Sequence, residues 1–367
     1  MMARLLHSIL SLLPILIMFA TKALSPLLAI AAVGTLAAKR GAALRNFLQH
    51  RTLLWLLGLI LIWPLVTALW APQSGDSFSA WGKVAMICLA GTFLFTTVPQ
   101  LPAIRHTTLR NMAIALMLVM GLFVLERLLG IPALRSIIEI FGGDYERFMA
   151  KTVNRGACAI VMLLWTLWYG LHHTGQHRLA WAALLVTLPA ILALDSISAM
   201  LGLLGGGAVL LALRILPRVT ERALQLLIPL GFVAAALVTT YLLYAPGIEE
   251  WRSSFNVLAS GRVPIWQSLI DNSANHWLTG WGMVMTPHVP YNENLPELIP
   301  FFGPPLHPHH SALQVGIELG AVGMALFVGA LVLLTRTIAA IENQPARHAA
   351  FVILATYLFT GLFSFGI

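Results

Sequence analysis

Long apolar runs recur along the whole chain and are separated mostly by short polar connections. Runs of this length are typical of membrane-spanning helices, because about 20 apolar residues are needed to cross the hydrocarbon core. The short alternating segments of a membrane β-barrel are absent from the sequence. The pattern predicts an all-α polytopic membrane protein with about 11–12 transmembrane helices, in runs near 5–21, 24–38, 52–70, 79–98, 112–130, 156–171, 179–194, 199–213, 224–244, 313–335 and 349–367.

The composition agrees with this pattern. Hydrophobic residues make up 59% of the chain and charged residues only 10%, whereas a soluble domain is roughly a quarter charged. A soluble enzyme and a disordered chain are therefore excluded. The two cysteines, Cys88 and Cys158, lie inside apolar runs, and two are too few for a disulfide framework.

The distribution of charge predicts the orientation in the membrane. With the N-terminus inside, the even-numbered connections hold only two acids, Glu221 and Glu342. Cytoplasmic loops are enriched in basic residues, and these connections carry Lys39, Arg40, Arg45, Arg51, Arg105, Arg110, Arg178, Arg214, Arg218, Arg222, Arg336 and Arg347. The basic excess therefore needs no nucleic acid to explain it.

Two outer connections are long, and ordered long loops are where function concentrates. Transmembrane helices 1–9 occupy 1–244, with a basic outer segment at 131–155. The stretch 245–312 forms a large outer loop, and 313–367 carries the C-terminal transmembrane helices. The large loop is rich in Trp, Pro, His and Asn, a composition that predicts a folded segment.

Basic residues in these outer connections run against the positive-inside bias, among them Arg147, Lys151, Arg155, Arg252 and Arg262. One interpretation is contact with lipid headgroups, or ion pairs with nearby acids such as Glu146. The other is an anion site, because arginine grips phosphate in two places. Arg147, Lys151 and Arg155 would share one face of a helix, and Arg155 begins a span, where backbone N–H groups favour an anion.

A histidine cluster, His307-Pro308-His309-His310, ends the large loop directly before the span from Leu313. Three interpretations are open. The histidines could share a metal ion, one of them could cap the following helix, or one could act as a general base, since neutral imidazole accepts a proton near pH 7. In an earlier outer turn, Asp195 and Ser196 are predicted to cap the next helix.

Three motifs of the large loop and the following span resemble those of the O-antigen ligase and O-antigen polymerase superfamily. Arg262-Val263-Pro264-Ile265-Trp266 is similar to its Arg-x-x-x-Trp, and Leu278-Thr279-Gly280-Trp281-Gly282 to its Leu-x-Gly-x-Gly. His309-His310-Ser311-Ala312-Leu313-Gln314, followed by Glu318-Leu319-Gly320 and Gly323, is similar to its His-Asn-x-x-Leu-Gln and Glu-x-Gly-x-x-Gly. Their order and spacing agree across roughly 260–323.

The resemblance implies a fold similar to GT-C glycosyltransferases and a metal-independent, inverting glycosyl transfer at the periplasmic face of the bacterial inner membrane. The donor would be a polysaccharide on undecaprenyl diphosphate, and the acceptor a sugar hydroxyl of lipid A–core oligosaccharide. By spacing to Leu313, His309 would be the base. Arg262 would stabilise the leaving diphosphate, with His307, His310 and Trp266 in support. No cofactor is implied.

The sequence departs from the family pattern at two places. His310 stands where the family commonly has Asn. Ile197 follows Ser196 where the family often has Arg, so Arg147, Lys151 and Arg155 are the candidates for that phosphate contact.

Other functions stay open from the sequence. An O-antigen polymerase or a protein O-oligosaccharyltransferase of the same superfamily would use the same donor. A lipid-linked glycan flippase is less favoured, because transporters place ionisable residues near the membrane midplane. In this sequence the residues that come nearest to the midplane all lie toward the ends of spans: Lys83, Glu126 and Arg127.

Overall fold

The computed structural model describes residues 2–39, 41–97, 105–149, 153–194, 196–258, 262–290 and 307–362. Regular structure in these ranges is helical, without a β-strand, and the predicted all-α class is confirmed. Where the structure describes them, the apolar runs lie mostly on helices: α1 Met2–Ser11, α2 Leu13–Phe19, α3 Thr21–Lys39, α5 Arg51–Thr67, α6 Ser74–Thr97, α7 Arg105–Arg127, α10 Asn154–His173, α11 His177–Ala193, α12 Ile197–Ile215, α13 Pro217–Tyr244, α16 Ser311–Ala339 and α17 Gln344–Gly361.

Shorter helices lie in the connections, and the first predicted span differs from the observed structure. That run divides at Leu12 into α1 and α2. Pro14 stands in the first turn of α2, where its missing N–H costs no helical hydrogen bond. The connecting helices are α4 Gly41–Gln49, α8 Ala133–Ile140, α9 Tyr145–Phe148, α14 Glu249–Leu258 and α15 Val263–Asn272.

Five segments are long and apolar enough to cross a membrane among the residues described: Ser74–Leu94, His106–Arg127, Ile197–Ile215, Pro217–Tyr244 and Ser311–Ala339. The chain is thus a multi-pass membrane protein. The full number of spans stays a prediction, since α5, α11 and part of α3 are shorter apolar helices.

The helices form two compact units. The first comprises Met1–His50, Ile87–Pro217 and Ile341–Thr360. Within it, α7 packs against α11 and both halves of the first run, while α10 packs against α2, α11 and α12. Gly202 and Gly206 of α12 face Thr356 of α17, because small residues let two helices approach closely.

The second unit comprises Arg51–Met86, Arg218–Ala340 and Gly361–Ile367. Helix α5 packs along α16, and α15 packs against α14 and α16. An apolar core joins the large loop to the helices on either side of it, as its composition predicts. The core consists of Leu243, Val263, Trp266, Leu269, Val289, Leu313 and Ile317.

Candidate active site

His310 closes the N-terminus of α16 with its side chain. Its Nδ1 accepts a hydrogen bond from the Leu313 backbone N–H at 3.2 Å, which satisfies one of the unpaired donors of the first turn. The ring proton is then on Nε2, which lies 3.2 Å from Thr239 Oγ1. Burial lowers the pKa of His310 to about 4, because the charged imidazolium is disfavoured away from water. His310 is therefore a neutral helix cap, as one of the three interpretations predicts.

His309 precedes this cap in an unusual backbone conformation. Its φ is +56°, a left-handed value that is uncommon in residues other than glycine and that costs free energy. Its half-buried ring packs against that of His307, with centroids 4.1 Å apart and planes at 62°. The backbone of His309 thus differs from that of His310, whose φ of −150° is extended.

Trp266 ties the histidine cluster to α15. Its indole Nε1–H donates to the carbonyl oxygen of Pro308 at 2.6 Å, and its ring meets the His310 ring edge-on with centroids 5.6 Å apart. Trp266 is fully buried. The peptide bond that leads into His309 is thus held by a rigid aromatic side chain.

Arg262 stands at the start of the same helix. Its carbonyl oxygen accepts from the Trp266 backbone N–H at 3.0 Å, so one helical turn separates the two residues. The Val263 N–H donates to Asn256 Oδ1, which completes the helix start. The guanidinium is half-buried, and burial lowers its pKa, although arginine keeps its charge at neutral pH. A desolvated cation at this position attracts an anion more strongly than an exposed one.

Helix α16 is interrupted at Gly320, and the loop 277–282 fills the gap. Gly320 has φ +67° and ψ −170°, so the backbone groups around it lose their helical partners. The N–H groups of Trp281 and Gly282 donate to the carbonyls of Ile317 and Glu318. In return, Ala321 and Val322 donate to Trp277 and Leu278. The second and third motifs are therefore two halves of one hydrogen-bonded structure.

Glycine is required at both halves of this contact. Gly280 has φ +73°, and a Cβ atom there would lie 2.6 Å from the backbone nitrogen of Gly320. A Cβ on Gly320 would lie 2.6 Å from the backbone nitrogen of Gly280. Neither position has room for a side chain.

Glu318 is a buried carboxylate inside α16. One oxygen accepts from the Val284 N–H at 2.8 Å and the other from Thr286 Oγ1 at 2.6 Å. Val284 has φ +56°, a strained value for a β-branched residue. Glu318 is not among the ionisable residues that the sequence analysis identified in the spans. The sequence feature that could have revealed Glu318 is an acid within an apolar run, because such an acid marks a structural or functional position.

Arg147 and Arg155 belong to the first unit, whereas Arg262 and His309 belong to the second. Arg147 lies in α9, Lys151 lies outside the described residues, and Arg155 is the exposed second residue of α10. Because α9 ends at Phe148 and α10 begins at Asn154, the single helical face stays a prediction.

Other polar residues of the connections have structural contacts. Arg135 pairs with Glu146 at 3.0 Å, and Arg252 donates to the Ala245 carbonyl. Ser196 accepts from the Ala199 N–H, so its predicted capping role is confirmed, while Asp195 lies outside the described residues. In the part of the chain that the structure describes, no three His, Cys, Asp or Glu side chains gather as a metal-binding group.

Comparison with known proteins gives concordant matches. A family model described as O-Antigen ligase matches residues 181–328, which include all three motifs. A Rickettsia felis protein named "Putative polysaccharide ligase" is 23% identical over 83% of this chain and 73% of its own length. Proteins with that name from Rickettsia conorii and Rickettsia typhi are 23% and 24% identical over 63% and 59% of this chain.

The chain spans 56% and 54% of the last two relatives. The matched segment contains Arg262, the 277–282 loop, the histidine cluster and the break in α16, so the matches and the geometry coincide. Over residues 181–328 the chain is similar to the O-antigen ligase family, which agrees with the resemblance seen in its motifs.

Proposed function

We propose that the protein is an O-antigen ligase. In this proposal it transfers a polysaccharide from undecaprenyl diphosphate to a sugar hydroxyl of lipid A–core oligosaccharide, at the periplasmic face of the bacterial inner membrane. The family match supports ligase-type activity in general. The finer assignment rests on the residues of the second unit.

One observation carries the proposal: His310 caps α16, and the adjacent His309 has a left-handed backbone conformation. His310 is committed to the cap of α16 and is neutral. His309 is our candidate for the base, because its strained backbone is the kind of feature that clusters at functional sites. The Trp266 contact fixes its position from the other side.

In the proposed reaction the acceptor hydroxyl attacks the anomeric carbon of the donor sugar while His309 removes the hydroxyl proton. The bond between the anomeric carbon and the diphosphate oxygen breaks, and undecaprenyl diphosphate leaves with the electron pair. Attack from the opposite face inverts the anomeric centre. Arg262 stabilises the negative charge of the leaving group, and Arg147, Lys151 and Arg155 are further candidates for holding the diphosphate.

An in vitro transfer assay tests this proposal. The purified protein in detergent receives undecaprenyl-diphosphate glycan and core lipopolysaccharide, with and without chelator. His309→Ala and Arg262→Ala are expected to lose transfer by at least about a hundredfold. His310→Asn keeps a side chain that can cap α16 and is expected to stay active, as is His288→Ala, which removes an exposed histidine of the same loop.

The alternatives predict different results. An inactive His310→Asn with an active His309→Ala would move the base by one residue. Loss of activity with chelator would indicate a metal at the histidine cluster. Chain lengthening on the lipid without transfer to the core would favour the polymerase, and transfer to protein the O-oligosaccharyltransferase.

A further inference from the structure

A cavity of about 490 Å³ lies in the first unit, within the roughly 300–1,000 Å³ typical of small-molecule sites. It forms where the C-terminal ends of α10 and α12 meet the first turns of α11 and α17. Residues from all four helices line it: Trp165, Trp168, Tyr169, His172, His173, His177, Leu210, Arg214, Pro345, His348, Ala349 and Val352.

The charge of the wall favours an anion. None of the lining residues, all of which the structure describes, is acidic, while Arg214 is a permanent cation. Its guanidinium carbon lies 5.5 Å from the centroid of the Trp168 ring, so the aromatic face orients it. The planar guanidinium can then grip a phosphate through two N–H groups.

Three buried nitrogen atoms of the wall lack a hydrogen-bond partner among the described residues. They are the indole Nε1 atoms of Trp165 and Trp168 and Nε2 of His172. Buried polar atoms are nearly always paired, and all three residues line the cavity, so a bound group can supply a missing acceptor. The Trp168 and His172 rings lie 4.2 Å apart, close enough to serve one ligand together with Arg214.

The arrangement of the histidines favours an anion over a metal ion. Nδ1 of His172 and Nδ1 of His177 lie 2.8 Å apart, which is a hydrogen bond between one protonated and one unprotonated nitrogen. If His177 donates, His172 carries its proton on Nε2 and offers it to the ligand. A metal ion would instead need a lone pair from each nitrogen.

The surroundings indicate a ligand that is part apolar. Leu210, Val352, Trp165 and Tyr169 add apolar surface to the wall. The predicted orientation places Arg214 and the start of α17 on the cytoplasmic side, where anionic lipid headgroups are abundant. A phosphate ester with an attached organic group fits both the donors and the apolar wall.

We propose that this cavity binds a phosphate ester anion, with Arg214 as its ion partner and Trp168 and His172 as hydrogen-bond donors. The site is independent of the glycan transfer proposed above. The phosphate can come from a lipid headgroup or from a soluble metabolite, and the experiment separates these sources.

Binding to the purified full-length protein in detergent is measured by thermophoresis. The probes are dihexanoyl phosphatidylglycerol, glycerol 1-phosphate, inorganic phosphate and Zn²⁺. Arg214→Gln is expected to weaken the binding of the phosphate probes by roughly tenfold or more. Trp168→Phe keeps an aromatic ring and removes only the donor, and a several-fold loss is expected. Arg218→Gln, the next arginine along the chain, is the control and should bind as the wild type does.

Binding of the phosphatidylglycerol probe alone assigns a lipid headgroup, and comparable binding of glycerol 1-phosphate assigns a soluble source. Either result supports the site if Arg214→Gln weakens the binding and if the Arg214→Gln variant has the same melting temperature as Arg218→Gln. The proposal is overturned if no phosphate probe binds, if Arg214→Gln and Trp168→Phe both bind normally, or if only Zn²⁺ binds.

Discussion

Trp266 donates its indole N–H to the carbonyl oxygen of Pro308, 42 residues further along the chain, at 2.6 Å. Through this bond the first motif holds the third, because Trp266 is one helical turn from Arg262 and Pro308 directly precedes His309. The Arg-x-x-x-Trp spacing therefore has a structural reason: it places a cation and an anchor for the proposed base on one rigid helix.

Replacing Trp266 by Phe should separate this anchoring from core packing. The ring is kept, but the Pro308 carbonyl loses its donor, at a cost of about 1–3 kcal/mol. We expect a lower melting temperature and a loss of transfer of roughly tenfold. The exposed Trp277 provides the matched control. If Trp266→Phe and Trp277→Phe behave alike, the bond does not position His309.

The neutral cap at His310 makes stability depend on pH. The pKa of His310 is about 4 in the folded protein and about 6.5 when unfolded, so between these values only the unfolded state binds the proton. Stability is therefore lost as pH falls from 6.5 towards 4, by up to roughly 3 kcal/mol.

The His310→Asn variant should lack this contribution. Its melting temperature relative to that of the wild type is expected to rise as the pH is lowered from 7 to 4.5. His288→Asn, at an exposed position, serves as the control. A constant difference between wild type and His310→Asn across this range would contradict a neutral His310.

The contact between Gly280 and Gly320 should tolerate no side chain. Alanine at either position forces a left-handed conformation and collides with the facing backbone, and we expect destabilisation of more than about 2 kcal/mol. Gly329→Ala in the same α16 is the control, because a Cβ there meets nothing within 4 Å. Thermal unfolding in detergent measures both effects. Equal stability of Gly320→Ala and Gly329→Ala would contradict the contact.

Glu318 should matter through the groups that it accepts from, among them the Val284 N–H and the Thr286 hydroxyl. Glu318→Ala leaves the Val284 N–H and the Thr286 hydroxyl without this acceptor, and we expect a loss of about 2–4 kcal/mol. Glu318→Gln keeps one acceptor oxygen and should lose less. Glu342→Gln, at an exposed acid, should leave the melting temperature unchanged. The test is whether the melting temperature is lowest for Glu318→Ala, intermediate for Glu318→Gln and highest for the wild type.

The helices could be predicted from the sequence because membrane spans depend on one property, the length of apolar runs. The division of the first run at Leu12 was not predicted, since proline in a first turn leaves the hydropathy unchanged. The cap at His310 was among the predicted alternatives, because helix caps are local in sequence.

The contacts that build the site could not be predicted from the sequence, for a different reason. The break at Gly320 depends on a loop 40 residues earlier, and one glycine in an apolar run does not reveal a left-handed φ. The bond between Trp266 and Pro308 is equally non-local. Motif spacing indicated that these segments belong together, whereas only the structure shows which atoms meet.

The interruption of α16 has a consequence for how the protein enters the membrane. Gly320 lies nine residues after Ser311, about 14 Å along the helix. At that depth, backbone groups without partners are tolerated only when protein covers them. Residues 277–282 are made before α16 and provide that cover, so α16 should reach its final form only after this loop has docked. The order of synthesis thus matches the order of assembly.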